Sequence, residues 1–303
     1  MSTFNPKRNL RTFDNKKKID FNEDINFNIE NVTMEDVNVS SKSLYILKNV
    51  LTKNECDQLI ENSNPHYQSL DQEFLKSERQ NNRVISLNSD FATIIYNRIR
   101  NFVFDDPKIK SVIPCGFGTD GIWEPYKIND CFRFNQYIGP SIGFTAHRDA
   151  TYIENEDIRS ILTILIYLNE DFDHGETIFL KSHNKRQKGQ IVSEELANGY
   201  HERFKYKPVT GSALIFNHNM IHLGNKIFEN DTKYVIRTDI VFKRIRRPED
   251  YNYRWRIDPD FILAVKYYRE AINQELDGNL DKASILFEKG LALRQFNRRN
   301  IKC

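Results

Sequence analysis

The residues with the clearest chemical potential are His147, Asp149 and His222. His147 and Asp149 sit two apart in an extended stretch, and side chains at that spacing project to the same side. One imidazole and one carboxylate can therefore reach a common point. His222 follows the strand-like run SALIF and offers a second imidazole. Two neutral imidazoles and one carboxylate on one face of an ion, with the opposite face open, suit non-haem Fe(II). A His-x-Asp tripeptide alone is common, so its setting has to carry the assignment.

That setting is β-rich. Phe132 to Tyr137 reads as a strand closed by Gly139-Pro140, and Ser160 to Leu168 (SILTILIYL) reads as a buried strand ending in a polar turn. Gly175-Glu176-Thr177 opens another short strand, and Lys233 to Lys243 is a last long one. Short turns between strands, with the candidate ligands near strand ends, predict a double-sheet barrel with the ion in its mouth. On the last strand Lys233 and Arg237 lie four apart and share a face with Val235, while Tyr234, Ile236 and Ile240 form an apolar opposite face.

With these phrases in view, FRFNQYIGPSIGFTAHRD, LTILIYLNEDFDHGETIF, VTGSALIFNHNMIHLGN and TKYVIRTDIVF, the chain resembles the Fe(II)- and 2-oxoglutarate-dependent dioxygenases of the prolyl 4-hydroxylase-like branch. YILKNVLTKNECDQLI and NNRVISLNSDFATIIYNRI resemble that branch's helical lead-in, so the likeness runs from about Leu44 to Phe242. It implies an α+β fold: a double-stranded β-helix (jelly-roll, cupin-like) core with supporting N-terminal helices. It also implies Fe(2+), 2-oxoglutarate and O2 as the reacting set, ascorbate as reductant, and hydroxylation with release of succinate and CO2. His147, Asp149 and His222 become the expected metal ligands. Lys233, eleven after His222, becomes the expected partner of the far carboxylate of 2-oxoglutarate. Arg237 is the alternative, with a bidentate fork that lysine lacks. Tyr137, ten before His147, is expected to donate a phenol hydrogen bond to the same carboxylate. Each metal-bound imidazole needs an acceptor for its other nitrogen. Leu223 and His174 depart from the pattern, which more often has an acidic and a small residue there. His218 reads as a support residue rather than a ligand, and Arg83 as a loop residue facing the substrate mouth.

The rest of the chain frames this unit. Forty-four basic against 42 acidic residues leave a net charge of +2, so no whole-protein field argues for nucleic acid or membrane. No aromatic-basic surface for reading nucleic acid is evident. Four cysteines without CxxC spacing predict simple thiols. With no signal peptide or membrane span evident, the reading is cytoplasmic or nuclear.

Residues 1–40 are polar and predicted to be a disordered tail. The basic run Lys7 to Lys18 reads as solvated rather than as an import signal. Residues 41–247 are the expected dioxygenase domain. Thr52 and Glu55 form a capping box for one supporting helix, and Ser89-Asp90 precede another. Residues 105–130 read as turn-rich loops near the mouth, and 181–206 as a flexible insertion. Residues 248–303 should form a C-terminal helical hairpin, similar to one tetratricopeptide unit through Ala271, Ala283, Phe287 and Gly290. Such a unit docks on its own domain, binds a protein partner or self-associates.

The expected substrate is a protein side chain; a free amino acid or other small molecule is the alternative, with nucleic-acid demethylation third. A non-catalytic binding module on the same fold is the competing class, against which the complete His-x-Asp…His set argues.

Overall fold

The computed structural model describes residues 18–37, 43–71, 75–112, 114, 119, 121–155, 157–182, 200–246, 259–276 and 279–293. In chain order the strands and helices are β1 (Thr33–Asp36), β2 (Leu44–Lys48), α1 (Lys53–Ser63), β3 (Gln68–Ser69), β4 (Asn82–Leu87), α2 (Ser89–Val103) and α3 (Pro107–Lys110). Then come β5 (Ile122–Ile128), β6 (Cys131–Ile138), β7 (Phe144–His147), β8 (Ile153–Asn155), β9 (Ile158–Tyr167) and β10 (Thr177–Ser182). The chain continues with β11 (Tyr200–Tyr206), β12 (Ala213–Asn217), β13 (Ile221–Gly224), β14 (Thr232–Arg246), α4 (Pro259–Leu276) and α5 (Leu280–Leu293).

The strands form two antiparallel sheets. The larger runs β1-β2-β12-β9-β14-β6-β4-β3, with β5 on the outer half of β14 and β8 on β9; the smaller runs β11-β10-β13-β7. From β6 onward the chain passes back and forth between the sheets, which is the double-stranded β-helix expected from the resemblance. One apolar cluster lies between the sheets and includes Tyr137, Tyr167, Phe179, Phe216 and Val235. A second lies behind the large sheet, where Cys56, Leu59, Phe91, Ile95 and Ile99 of α1 and α2 cover Phe132, Phe134, Ile236 and Ile240. The two faces of β14 thus separate as its alternation requires: even-numbered aliphatics go to the helices, odd-numbered cations to the barrel interior.

α1 starts at the predicted capping box. Thr52 Oγ1 accepts from the Glu55 N–H at 3.2 Å, and Glu55 Oε2 accepts from the Thr52 N–H at 2.9 Å. The same Glu55 carboxylate is buried and takes both Nη atoms of Arg98 at 2.7 Å. α2 is capped one residue earlier than expected, by Asn88 on the Phe91 N–H.

Five expectations are corrected. Disorder through residue 40 does not hold for 18–37. Ile19 is 1 % exposed, its N–H donates to Ser86 Oγ and its carbonyl accepts from Asn88 Nδ2. β1 pairs with β2 as the edge of the large sheet. Sparse apolar anchors suffice because the helical layer already offers them a slot. Residues 1–17 and 38–40 lie outside the described residues. Arg83 is on a strand, β4, paired with Asn135 of β6, since Val84 and Ser86 turn inward to the helices with period two. Within 105–130, 107–110 is helical and 122–128 is β5, whose Trp123 is buried against the helical layer. Within 181–206, Lys181 and Ser182 end β10, and β11 pairs with it from Tyr200 to Tyr206, so the polar composition there belongs to an edge strand. His201, which the reading of 181–206 as an insertion made a loop residue, lies on that strand.

α4 and α5 form the expected hairpin. Ala264, Ala271 and Ala283 are buried, Gly290 sits against the Tyr268 ring, and Tyr268 and Phe287 lie 6.0 Å apart, centroid to centroid. No described helix is long and apolar enough to cross a membrane.

Candidate metal centre and co-substrate pocket

The register of the small sheet brings the two histidines together. His147 ends β7 and is the cross-strand partner of His222 on β13, with ring centroids 4.3 Å apart. Asp149 lies just beyond β7, where its N–H donates to the His218 carbonyl at 3.1 Å. His147 Nε2 stands 3.9 Å from Asp149 Oδ1, and His222 Nε2 stands 3.6 Å from Asp149 Oδ2. One ligand atom from each residue falls within 4.8 Å of the others, the only such group among the described residues.

Each ring is oriented in the same way. His147 Nδ1 lies 2.8 Å from the Thr145 carbonyl, and His222 Nδ1 lies 3.1 Å from the Met220 carbonyl. Both acceptors sit two residues upstream. A carbonyl can only accept, so Nδ1 carries the proton and Nε2 keeps its lone pair toward the centre. Phe144 stacks on His147 at 3.6 Å, and Phe216 meets His222 edge-on at 4.7 Å. Burial pushes both imidazoles below their ordinary pKa, so they are neutral donors at neutral pH. Burial works to raise the Asp149 carboxyl, but Arg237 and the imidazoles outweigh it and hold the group far below the usual carboxylate range. Two neutral nitrogens and one anionic oxygen fit a divalent ion.

A directed hydrogen-bond chain fixes the carboxylate. Thr163 Oγ1 donates to Asp149 Oδ2 at 2.7 Å. Having given its proton there, it accepts from His218 Nδ1 at 2.8 Å. His218 Nε2 must then accept, and Ser160 Oγ supplies the proton at 2.9 Å. Ser160 Oγ in turn accepts from the Tyr152 N–H at 2.8 Å. Every link is determined by the one before it, which makes His218 a neutral relay rather than a ligand.

Lys233 is 4 % exposed and projects between the sheets. Its Nζ donates to the Gly175 carbonyl at 2.6 Å and lies 5.5 and 5.7 Å from the ring centroids of Tyr167 and Tyr137. Gly175 has φ +65°, and a Cβ there would meet Ile227 at 2.6 Å and Phe172 at 2.7 Å, so the close approach of this carbonyl depends on glycine. Burial pushes the Lys233 ammonium down to about 7, with Glu176 opposing from a distance. Arg237 is differently employed: Nε stands 3.3 Å from Asp149 Oδ1, and Nη2 donates to Asp239 Oδ1 at 3.2 Å. Tyr137 is the cross-strand partner of Lys233, and Arg79 is within hydrogen-bonding reach of its phenol.

Thr163, Tyr167 and Arg79 were not singled out in the sequence. Thr163 and Tyr167 carry a usable signal: they are polar side chains four apart, on one face of an otherwise aliphatic buried strand. Arg79 has none, since it reaches the site from an irregular segment before β4.

Residues 132–238 match the family model described as the 2OG-Fe(II) oxygenase superfamily. No curated protein sequence matches the chain. Among solved structures, a Pseudomonas putida prolyl-4-hydroxylase is 13 % identical, with a TM-score of 0.40 over 66 % of this chain and 92 % of that one. A Trichoplax adhaerens prolyl hydroxylase, in complex with a hypoxia inducible factor oxygen degradation domain peptide fragment, is 15 % identical, with a TM-score of 0.41 over 65 % and 82 %. The non-heme alpha ketoglutarate dependent carbocyclase SnoK from nogalamycin biosynthesis is 13 % identical, with a TM-score of 0.43 over 76 % and 93 %. The matched segment contains His147, Asp149, His222, Lys233, Arg237 and Tyr137, and over it the chain is similar to the 2OG-Fe(II) oxygenase superfamily.

Proposed function

We propose that this enzyme hydroxylates a C–H bond of a protein side chain in the manner of the prolyl 4-hydroxylases, with a free amino acid or other small molecule as the alternative substrate. His147, Asp149 and His222 would hold Fe(2+). Lys233 would anchor the far carboxylate of 2-oxoglutarate, with Tyr137 beside it and Arg237 reserved for Asp149. When bound, iron and 2-oxoglutarate supply the activation of O2, with succinate and CO2 as co-products and ascorbate as the reductant that keeps the iron ferrous.

The chain's own residues orient and exclude. The two upstream carbonyls aim the imidazoles, Thr163 fixes the carboxylate, and the aromatic wall of Phe144, Phe216 and Phe179 keeps the site dry. The observation that carries this reading is the convergence of three ligand atoms on one point, in a barrel whose buried ammonium faces no carboxylate of the described residues within ion-pairing distance. A buried cation in that position needs an anion to restore its charge, and 2-oxoglutarate brings one. Arg237 already serves two carboxylates, which favours Lys233 for this role.

The oxygenase unit on this reading takes in residues from about 18 to 246, and the α4–α5 hairpin serves as an arm for a protein partner or a second copy of the chain. Succinate release from purified protein with Fe(2+), ascorbate and 2-oxoglutarate tests the activity. Wild type should turn over 2-oxoglutarate and Asp149→Ala should not. Absence of both turnover and metal uptake in the wild type would favour the binding-module alternative. Mass spectrometry for one added oxygen, on peptide pools beside metabolite mixtures, separates the two substrate classes.

A further inference from the structure

The inner wall of the barrel continues past the co-substrate pocket. Along β6, Tyr137, Asn135 and Arg133 share the inward face; along β14, Lys233, Val235 and Arg237 do so, and the register pairs Lys233 with Tyr137 and Arg237 with Arg133. The Lys233–Tyr137 rung is the buried one. At the Arg237–Arg133 rung the side chains are 19 % and 27 % exposed, so this rung faces the entrance.

Two guanidiniums therefore stand side by side at the mouth. The acids near them are Asp149 and Asp239. Asp149 is spoken for as a metal ligand, which leaves Asp239 shared between two cations. Asp239 Oδ1 accepts from Arg237 Nη2 at 3.2 Å, while Asp239 Oδ2 is 3.8 Å from Arg133 Nη1, beyond hydrogen-bonding distance. Arg133 Nη1 is buried and has no hydrogen-bond partner among the described residues. Arg79 and Arg83 act on the same space, since each lowers the proton affinity of the Tyr137 phenol and Arg83 and Arg237 both repel the charge of Arg79. A planar fork on a part-exposed side chain, held only loosely by an acid it shares with a second fork, is built for an incoming carboxylate.

We propose that Arg133, with Arg237 behind it, is a carboxylate-binding subsite at the barrel mouth, so that the substrate oxidised here carries a carboxylate close to the carbon that reacts. This rests on the oxygenase reading of the same site and adds the charge of the substrate to it. The carboxylate has two sources, the α-carboxylate of a free acid or an acidic side chain of a peptide, and the two require different probes.

The test is isothermal titration of Zn(2+)-loaded protein saturated with N-oxalylglycine, an unreactive 2-oxoglutarate analogue. One arm uses N-acetyl amino acids against their amides. The other uses N-acetyl-aspartate amide against N-acetyl-asparagine amide. In at least one arm the acid should bind about tenfold or more tightly than its neutral counterpart, and Arg133→Gln should remove that preference. Arg133→Lys, which keeps the charge without the fork, should retain part of it. Preference in the first arm assigns a free acid, in the second an acidic peptide. The proposal is overturned if neither arm prefers the acid by more than about twofold, which includes no binding at all, or if the preference survives in folded Arg133→Gln. Uptake of Zn(2+) and N-oxalylglycine, read in the same titrations before any probe is added, reports on the oxygenase reading separately.

Discussion

Thr163 donates its hydroxyl proton to Asp149 Oδ2 across 2.7 Å, and that bond helps hold the carboxylate in place beside the two imidazoles. Removing the donor with Thr163→Val leaves Oδ2 unpaired in a buried site and lets the carboxylate rotate. Metal affinity should fall by about 10- to 100-fold, as read by Co(2+) titration, while Thr163→Ser should lose less. His218→Asn keeps an N–H where Nδ1 stands and should preserve most of the affinity; His218→Phe should behave like Thr163→Val.

Lys233→Met should weaken 2-oxoglutarate binding by about 10- to 100-fold, because a charge-assisted bond is lost from a dry pocket. The same change should raise the stability of the ligand-free protein by about 1 kcal/mol, since it removes a buried charge that the bond to the Gly175 carbonyl offsets only in part. Opposite signs for affinity and unfolding midpoint are the expected signature, measured by calorimetry and urea titration.

Proton uptake should accompany 2-oxoglutarate binding above neutral pH. In the free site the Lys233 ammonium titrates at about 7, so at about pH 8 most of it is neutral and an incoming carboxylate restores the proton. Binding enthalpies in buffers of different ionisation enthalpy should show an uptake approaching one proton per site. Lys233→Met should abolish it.

The metal-free protein should lose stability as pH falls. The folded-state pKa values of His147, His218 and His222 are depressed, so the unfolded chain binds more protons below the ordinary histidine value of 6.5. Lys233 acts in the same direction between about 7 and its ordinary 10.5. Urea midpoints should therefore rise with pH through both windows, and metal loading should steepen the lower one, because a bound ion keeps its imidazole ligands unprotonated in the folded state alone.

Arg98→Met should destabilise by about 3–5 kcal/mol, because it strands the buried Glu55 carboxylate that now receives two guanidinium bonds. Far-UV circular dichroism followed through urea denaturation measures this.

Much of the site was legible because its constraints are local in sequence. The His-x-Asp pair reads directly from strand periodicity, as do the shared faces of Lys233 and Arg237. The Thr52–Glu55 cap reads from spacing alone, but the second task of Glu55, holding Arg98 from 43 residues away, does not. Arg79 and Ile19 were illegible for the same reason: each gains its role from where the sheets bring it, not from its neighbours in the chain. The polar edge strand β11 was misread because edge strands carry charges that resemble loop composition.

The segment from Ile19 to Phe27 has a practical corollary for anyone who would shorten this protein. Asp24 accepts from the Thr52 hydroxyl at 2.9 Å, and its N–H reaches Glu55 Oε1 at 2.9 Å. Phe27 lies under the Arg98 guanidinium at 3.5 Å. A version beginning at Leu44, where the resemblance read from the sequence begins, would strip these lids from a charged pair and open an oily slot beside α2. Such a fragment would keep His147, Asp149 and His222 and still be a poorer, stickier protein.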